Sequence, residues 1–179
     1  MRADAARNLD AVLQTGARLL ALDPGASIAA IAAAAGVDRR TVYRRFATRE
    51  ALLAAVHVAK LDACEKVVAE ARLTEAPLLV ALHRYAEGII TVSRRWPVDV
   101  RQVQDETAAG RLSRLIEHLD TFMVRAVREG VIRPGLPDRW ARSLLIHLTN
   151  LASHEMPELT SAQGADMVVR SLISGLGPG

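Results

Sequence analysis

The sequence has little that could cross-link it, few aromatic residues and no long apolar run. A single cysteine excludes an intrachain disulfide and fits a reducing compartment. Aromatic residues make up only 3% of the chain, and the most apolar run, residues 28–37, is too short to span a membrane. The first residues, MRADAARNLD, lack the apolar stretch of a signal peptide. These absences predict a cytoplasmic protein with no membrane partner.

Basic charge is concentrated in the first third of the chain. Residues 1–50 hold eight arginines against five acids, whereas bases and acids balance from residue 51 onward. Between Arg39 and Arg49 there are five arginines and no acid. Because exposed helix faces usually mix charges of both signs, this distribution favours a polyanionic partner for one face. A solvated arginine face without a partner is the alternative reading.

Apolar residues recur at helical spacing along the whole chain, and neither an alternating strand pattern nor an internal repeat occurs. We therefore predict an all-α protein of about nine helices. One long helix and two short ones, joined by a tight turn at Gly36, form the arrangement of a helix-turn-helix. Residues 1–47 are predicted to be this DNA-binding domain, and residues 48–179 a helical regulatory domain for ligand binding and dimerisation.

The predicted third helix, residues 38–46, divides into an apolar and a basic side. Val42 and Phe46 lie four residues apart and are expected to face inward. Hydrogen-bond donors occupy the outward side and its flank: Arg39, Arg40, Tyr43, Arg44 and Arg45. Arginine is the usual bidentate reader of guanine, and tyrosine and threonine hydroxyls commonly donate to phosphate. This pattern is typical of a recognition helix.

The stretch SIAAIAAAAGVDRRTVYRRFATREALLAAV resembles the helix-turn-helix signature of the TetR family of bacterial transcriptional regulators. It has the Gly-Val turn, the triplet Thr41-Val42-Tyr43, the aromatic Phe46, and the basic Arg49 before Glu-Ala-Leu. The resemblance covers about residues 9–56. It implies a homodimer that binds a palindromic operator in double-stranded DNA, usually as a repressor released by a small-molecule effector.

The resemblance also implies roles for individual side chains. It places Arg39, Arg40 and Arg44 where the family tends to contact bases. Phosphate contacts are implied for four residues: Thr41, Tyr43, Arg45 and Arg49. We also expect Ser27, which is a good cap for the second helix, to lie at the DNA.

The last two helices are the predicted dimer interface, because two-fold pairing is needed to read two half-sites. Two apolar stripes are expected to meet their copies in a four-helix arrangement. They consist of Ala141, Leu144, Leu145, Leu148 and Ala152 on one helix, and Ala165, Val168, Val169, Leu172 and Leu176 on the other. The alternative is that both stripes serve the core of the protomer.

A pocket for the effector is predicted from polar and aromatic residues of the regulatory domain: His83, Tyr85, Thr91, Arg94, Trp96, Gln102, Trp140, His147 and Asn150. We expect no metal site and no cofactor, since no suitable ligand spacing occurs. Without a phosphate loop, a nucleophile elbow or paired carboxylates, we expect no enzyme. The alternative function is a small-molecule sensor or protein-interaction module in which DNA binding is secondary or lost.

Overall fold

The computed structural model describes residues 2–102 and 105–178, with side chains for residues 6–101 and 105–178. These residues form eight α-helices, one 3-10 turn at Val100–Gln102 and no strand, which confirms the predicted all-α fold. The α-helices are α1 Arg2–Leu22, α2 Ile28–Ala34, α3 Arg39–Arg45, α4 Arg49–Ala71, α5 Leu78–Arg95, α6 Glu106–Arg128, α7 Trp140–His154 and α8 Ser161–Leu176.

The chain folds into two compact units. The first comprises residues 1–62 and 95–109, and the second comprises residues 63–94 and 110–179. Helix α4 therefore begins in the first unit and ends in the second. The functional boundary between residues 47 and 48 stays a prediction, because compactness does not assign a role to either unit.

The core of the first unit joins α1, α2, α3 and the start of α4. Its buried members are Val12, Leu20, Ala26, Ile28, Ile31, Ala32, Val42, Phe46 and Leu52. On α1 these residues follow the helical spacing of one buried face. Gly16 of α1 lies close to Ile31, Leu52 and Val56, so α1 packs against both α2 and α4 at this point.

The turn between α2 and α3 is fixed by capping groups. Ser27 Oγ accepts a hydrogen bond from the Ala30 amide at 3.1 Å and starts α2. Gly36 adopts a left-handed φ of 66° after α2, the conformation that glycine tolerates best. Asp38 Oδ1 then accepts from the amides of Arg40 at 2.9 Å and Thr41 at 3.2 Å. These groups set the direction in which α3 leaves the turn.

The segment that follows α5 is fastened to the helices of the first unit. Lys60 Nζ on α4 donates to the Val98 carbonyl at 2.6 Å in a buried hydrogen bond. Arg95 forms an ion pair with Asp10 on α1, with 3.1 Å between nitrogen and oxygen. Burial, together with the charge of Lys60, holds the pKa of His57 below its ordinary value, which favours the neutral imidazole.

The second unit is built from the end of α4 and helices α5 to α8. Its largest fully buried side chains are Leu82, Ile90, Ile132, Leu145 and Leu172. Helices α7 and α8 pack against each other along their length. A capping box starts α8, in which Thr160 and Gln163 satisfy each other's backbone amides.

The backbone at Gly36 yields a testable difference between two glycines. A Cβ added at Gly36 or at Gly175 of α8 meets nothing within 4 Å, so sterics with neighbours do not separate them. Gly36→Ala should lower the free energy of unfolding by about 1 kcal/mol because of its positive φ, and Gly175→Ala should raise it slightly. Urea unfolding followed by circular dichroism measures both. Equal effects of the two substitutions would contradict this account of the turn.

Candidate nucleic-acid interface

Helix α3 buries its apolar side chains and exposes its donors. Val42 is 2% exposed and Phe46 is 7% exposed, both within the core of the first unit, as predicted. The exposed side chains of the helix are Arg39, Arg40, Thr41, Tyr43, Arg44 and Arg45. The helix contains four arginines and no acid, so its outward surface carries charge of one sign.

Two of the exposed side chains of α3 contact each other. The Arg39 guanidinium lies over the ring of Tyr43, 5.1 Å from the centroid, one helical turn away. Such a cation–π contact contributes about 0.5–1 kcal/mol at an exposed site. It restricts both side chains while leaving the guanidinium edge and the phenolic hydroxyl open to a partner.

Arg49, expected to contact phosphate, is held by the protein itself. Its side chain is half-buried, and Nη1 donates to the Pro24 carbonyl in the loop between α1 and α2. Its Nε also lies 3.6 Å from Glu50 Oε1. Nothing in the sequence pattern signals this contact, because Pro24 is 25 residues away.

The first turn of α4 is also occupied by side chains of this chain. Thr48 Oγ1 accepts from the Ala51 amide at 3.1 Å. The backbone amide of Glu50, followed by Thr48 and Arg49, holds the pKa of the Glu50 carboxyl below its ordinary value. A carboxylate therefore stands where a phosphate would otherwise meet the helix start. The principal donor surface is α3.

This geometry agrees with the comparisons with known proteins. Residues 13–56 match the family described as bacterial regulatory proteins, tetR family. The HTH-type transcriptional repressor LfrR of Mycolicibacterium smegmatis is 29% identical over 175 residues, covering 95% of this chain and 90% of LfrR. The matched segment and this relative support a TetR family regulator. The chain is thus a DNA-binding transcriptional regulator, as the sequence predicts.

The likeness extends over most of the chain. The nucleoid occlusion factor SlmA of Marinobacter nauticus is 28% identical over 173 residues, covering 89% of this chain and 77% of SlmA. The crystal structure of the TetR-like regulator LfrR from Mycobacterium smegmatis in complex with proflavine superposes with a TM-score of 0.74. That structure is 26% identical and covers 97% of this chain and 99% of LfrR.

The structure places the predicted effector residues in different surroundings. Tyr85 is buried, and burial followed by the nearby Cys64 raises the pKa of its hydroxyl well above the ordinary value. His83 lies in an open groove of the second unit, with Nε2 3.1 Å from Asp166 Oδ1. Exposed members are Thr91, Trp140, His147 and Asn150, whereas Trp96 is buried in the first unit. The side chain of Gln102 lies outside the described residues.

Arg94 has a structural role that its sequence position does not reveal. Its guanidinium donates to the carbonyls of Ala152 at 2.8 Å, Met156 at 3.0 Å and Leu159 at 2.7 Å. It thereby satisfies carbonyls at the end of α7 and in the turn before α8. Arg94 therefore acts as a cap between the two last helices, and a contact with an effector stays a prediction.

The two predicted dimer stripes are mostly the core of the protomer. Buried members are Ala141, Leu145, Ala152, Ala165, Val168, Leu172 and Leu176, and the half-buried ones are Leu144, Leu148 and Val169. A side chain buried within one protomer has no surface to offer a second copy. Most of the two stripes thus packs in the core of the protomer, and their role in a dimer stays a prediction, because helical spacing identifies a buried face without identifying what buries it.

Large apolar side chains are also exposed on these two helices. They are Trp140, which is 54% exposed, and Leu151 at 38% on α7, and Met167 at 51% on α8, while Leu144 and Leu148 of α7 are half-buried. Leu151 and Met167 were not among the predicted interface residues. Their signal was present in the sequence, as apolar residues on helix positions adjacent to the stripe that was chosen.

The described residues contain no group of three or more metal-ligating side chains placed to hold an ion. None of the described helices is both long and apolar enough to cross a bilayer. Neither finding bears on the arginines of α3.

The contact between Arg49 and Pro24 predicts a stability effect. Arg49→Ala should lower the free energy of unfolding by about 1 kcal/mol, because the Pro24 carbonyl loses a charged donor. Arg40→Ala, at an exposed position of α3, should change it by less than about 0.5 kcal/mol. Thermal unfolding of the two variants measures the difference. An Arg49→Ala protein as stable as the unmodified chain would mean that this contact contributes nothing.

Proposed function

We propose that this regulator is a homodimeric repressor that binds a palindromic operator through α3 and is released by a small molecule. The observation that carries the proposal is the division of α3 into a buried apolar side and an outward side with four arginines and no acid. Such a surface supplies both phosphate contacts and base contacts. We place its action in the cytoplasm, where bacterial DNA is accessible.

The proposed contacts follow the exposure of each side chain. Arg39, Arg40 and Arg44 are assigned to base edges, and Thr41, Tyr43 and Arg45 to phosphates. Ser27 already accepts a hydrogen bond as a helix cap, and its hydroxyl proton remains able to reach a phosphate. We assign Arg49 to positioning rather than to phosphate contact, since its guanidinium holds the Pro24 carbonyl.

The second copy is proposed to dock on the exposed apolar face of α7 and α8. Trp140, Leu144, Leu148 and Leu151 follow each other at helical spacing of four, four and three residues, which places them on one side of α7. Met167 supplies exposed apolar surface on α8. A two-fold arrangement would present two α3 helices to half-sites roughly 34–36 Å apart or a multiple of that distance.

The effector is proposed to act through α4, which runs without interruption from the first unit into the second. A bound molecule that shifts this helix would change the separation of the two α3 helices in the dimer. Support comes from LfrR, a relative that has been crystallised in complex with proflavine.

The competing function is a sensor or protein-interaction module with secondary or lost DNA binding. We propose no catalytic role, in keeping with relatives that are transcriptional regulators. Salt dependence separates the two functions, because only a chain that neutralises several phosphates loses duplex affinity steeply as salt rises.

For DNA binding, the predicted variants are Arg45→Ala and Arg44→Ala, with Arg128→Ala on α6 as the matched arginine control. Arg45→Ala should weaken binding to all sequences and reduce the slope of log affinity against log salt by about 1. Arg44→Ala should cost about 1–3 kcal/mol at particular base pairs and relax discrimination there. Fluorescence anisotropy on a duplex selected from a random pool measures both. An altered slope in Arg128→Ala alone would place the interface elsewhere.

For the dimer, the predicted variant is Leu151→Asp, and Leu79→Asp on α5 is its control. Both leucines are exposed in the protomer, so neither change disturbs a buried core. Leu151→Asp should raise the dimer dissociation constant by at least about tenfold, because it desolvates an unpaired carboxylate. Sedimentation equilibrium measures it. If Leu79→Asp dissociated the dimer and Leu151→Asp left it intact, the interface would lie on α5 instead.

A further inference from the structure

A cleft of 810 Å³ lies in the first unit beside the recognition helix. It runs between α1 and α3, so its walls include side chains of the DNA-binding surface. The lining residues are Ala6, Asn8, Leu9, Val12, Val37, Thr41, Val42, Arg44, Arg45 and Phe46. Three of these residues, Thr41, Arg44 and Arg45, are proposed DNA contacts, and none is a predicted effector residue.

The floor of the cleft is apolar. Val12, Val42 and Phe46 line the cleft and belong to the buried core of the first unit. Leu9 and Val37 are half-buried and offer apolar surface that a ligand can reach. A volume of 810 Å³ falls within the range of small-molecule sites, about 300–1,000 Å³.

The charge at the cleft has one sign. Among the described residues that line it, Arg44 and Arg45 are cationic and none is acidic. Neither arginine forms an ion pair within the part of the chain that the structure describes, and both are exposed. Asn8 and Thr41 add hydrogen-bonding groups. A ligand that complements this lining has an apolar body and one anionic head.

We propose that the cleft between α1 and α3 binds a small amphipathic anion, an alkyl or aryl carboxylate whose head pairs with Arg44 and Arg45. The apolar body covers Leu9 and Val37, and the carboxylate accepts charge-assisted hydrogen bonds from the guanidinium groups. The bound anion pairs with the guanidinium groups of Arg44 and Arg45, which are also proposed to contact DNA. It therefore competes with DNA directly. That consequence, unlike the binding itself, rests on the proposed function.

The test is a titration of the full chain with decanoate in the absence of DNA, and isothermal titration calorimetry measures the binding. The expected result is saturable binding that Arg45→Ala weakens by about tenfold or more, because a charge-assisted hydrogen bond is lost. Arg18→Ala removes an exposed α1 arginine outside the cleft and should leave the affinity unchanged. Decanol, which lacks the charge, should bind more weakly, and inorganic phosphate, which lacks the apolar body, should not displace decanoate.

The outcomes that overturn the proposal are equally definite. They are an Arg45→Ala affinity equal to that of the unmodified chain, equal binding of decanol, displacement by inorganic phosphate, or no saturable binding. Leu9→Trp, which fills the cleft from α1, provides a second variant that should lose decanoate and retain DNA binding.

Competition is measured separately by adding decanoate to the protein–duplex complex. Decanoate should release duplex from the unmodified chain and not from Leu9→Trp. Duplex binding by both proteins without decanoate tests the proposed DNA function alone. A chain that binds decanoate and no duplex would support the proposed ligand site and contradict the proposed repressor function. A chain that binds duplex and no decanoate would contradict the ligand site alone.

Discussion

The burial of Val42 and Phe46 is the contact on which the DNA-binding surface depends. Helix α3 has seven residues, and a helix of that length is not stable in water without tertiary packing. Each of the two side chains contributes about 1.5–3 kcal/mol by leaving water. Asp38 adds a cap worth about 1 kcal/mol at the other end. The outward residues of α3 are therefore not needed to stabilise the helix, and their side chains can serve binding.

The outward side of α3 carries charge of one sign. Four arginines on a seven-residue helix repel one another, and no acid on the helix offsets the repulsion. The stacking of Arg39 on Tyr43 removes part of the conformational freedom of these side chains before any partner arrives. Positive potential concentrated on one short helix attracts a polyanion and steers its approach. A surface of this kind sacrifices some stability for recognition, which is the usual pattern at functional sites.

The sequence predicted α3 well because its determinants are local. Caps, a left-handed glycine and a four-residue apolar spacing lie within eleven residues, from Gly36 to Phe46. Contacts between distant residues were not predictable in this way. Arg94 is predicted as a polar pocket residue, and nothing in the sequence indicates its hydrogen bonds to carbonyls 58 to 65 residues away. The dimer stripes illustrate a related difficulty, since Leu145 and Leu172 have the spacing of a buried face, and that spacing does not say that their own protomer buries them.

The most direct test of the account observes the arginine side chains without changing them. Arginine Nε–H signals of the full chain would be recorded by NMR during titration with a duplex selected from a random pool. The account predicts that the perturbed signals are those of Arg39, Arg40, Arg44 and Arg45, while Arg114 and Arg128 on α6 keep their positions. Perturbation that centres on the α6 arginines, with the signals of α3 unchanged, would contradict it.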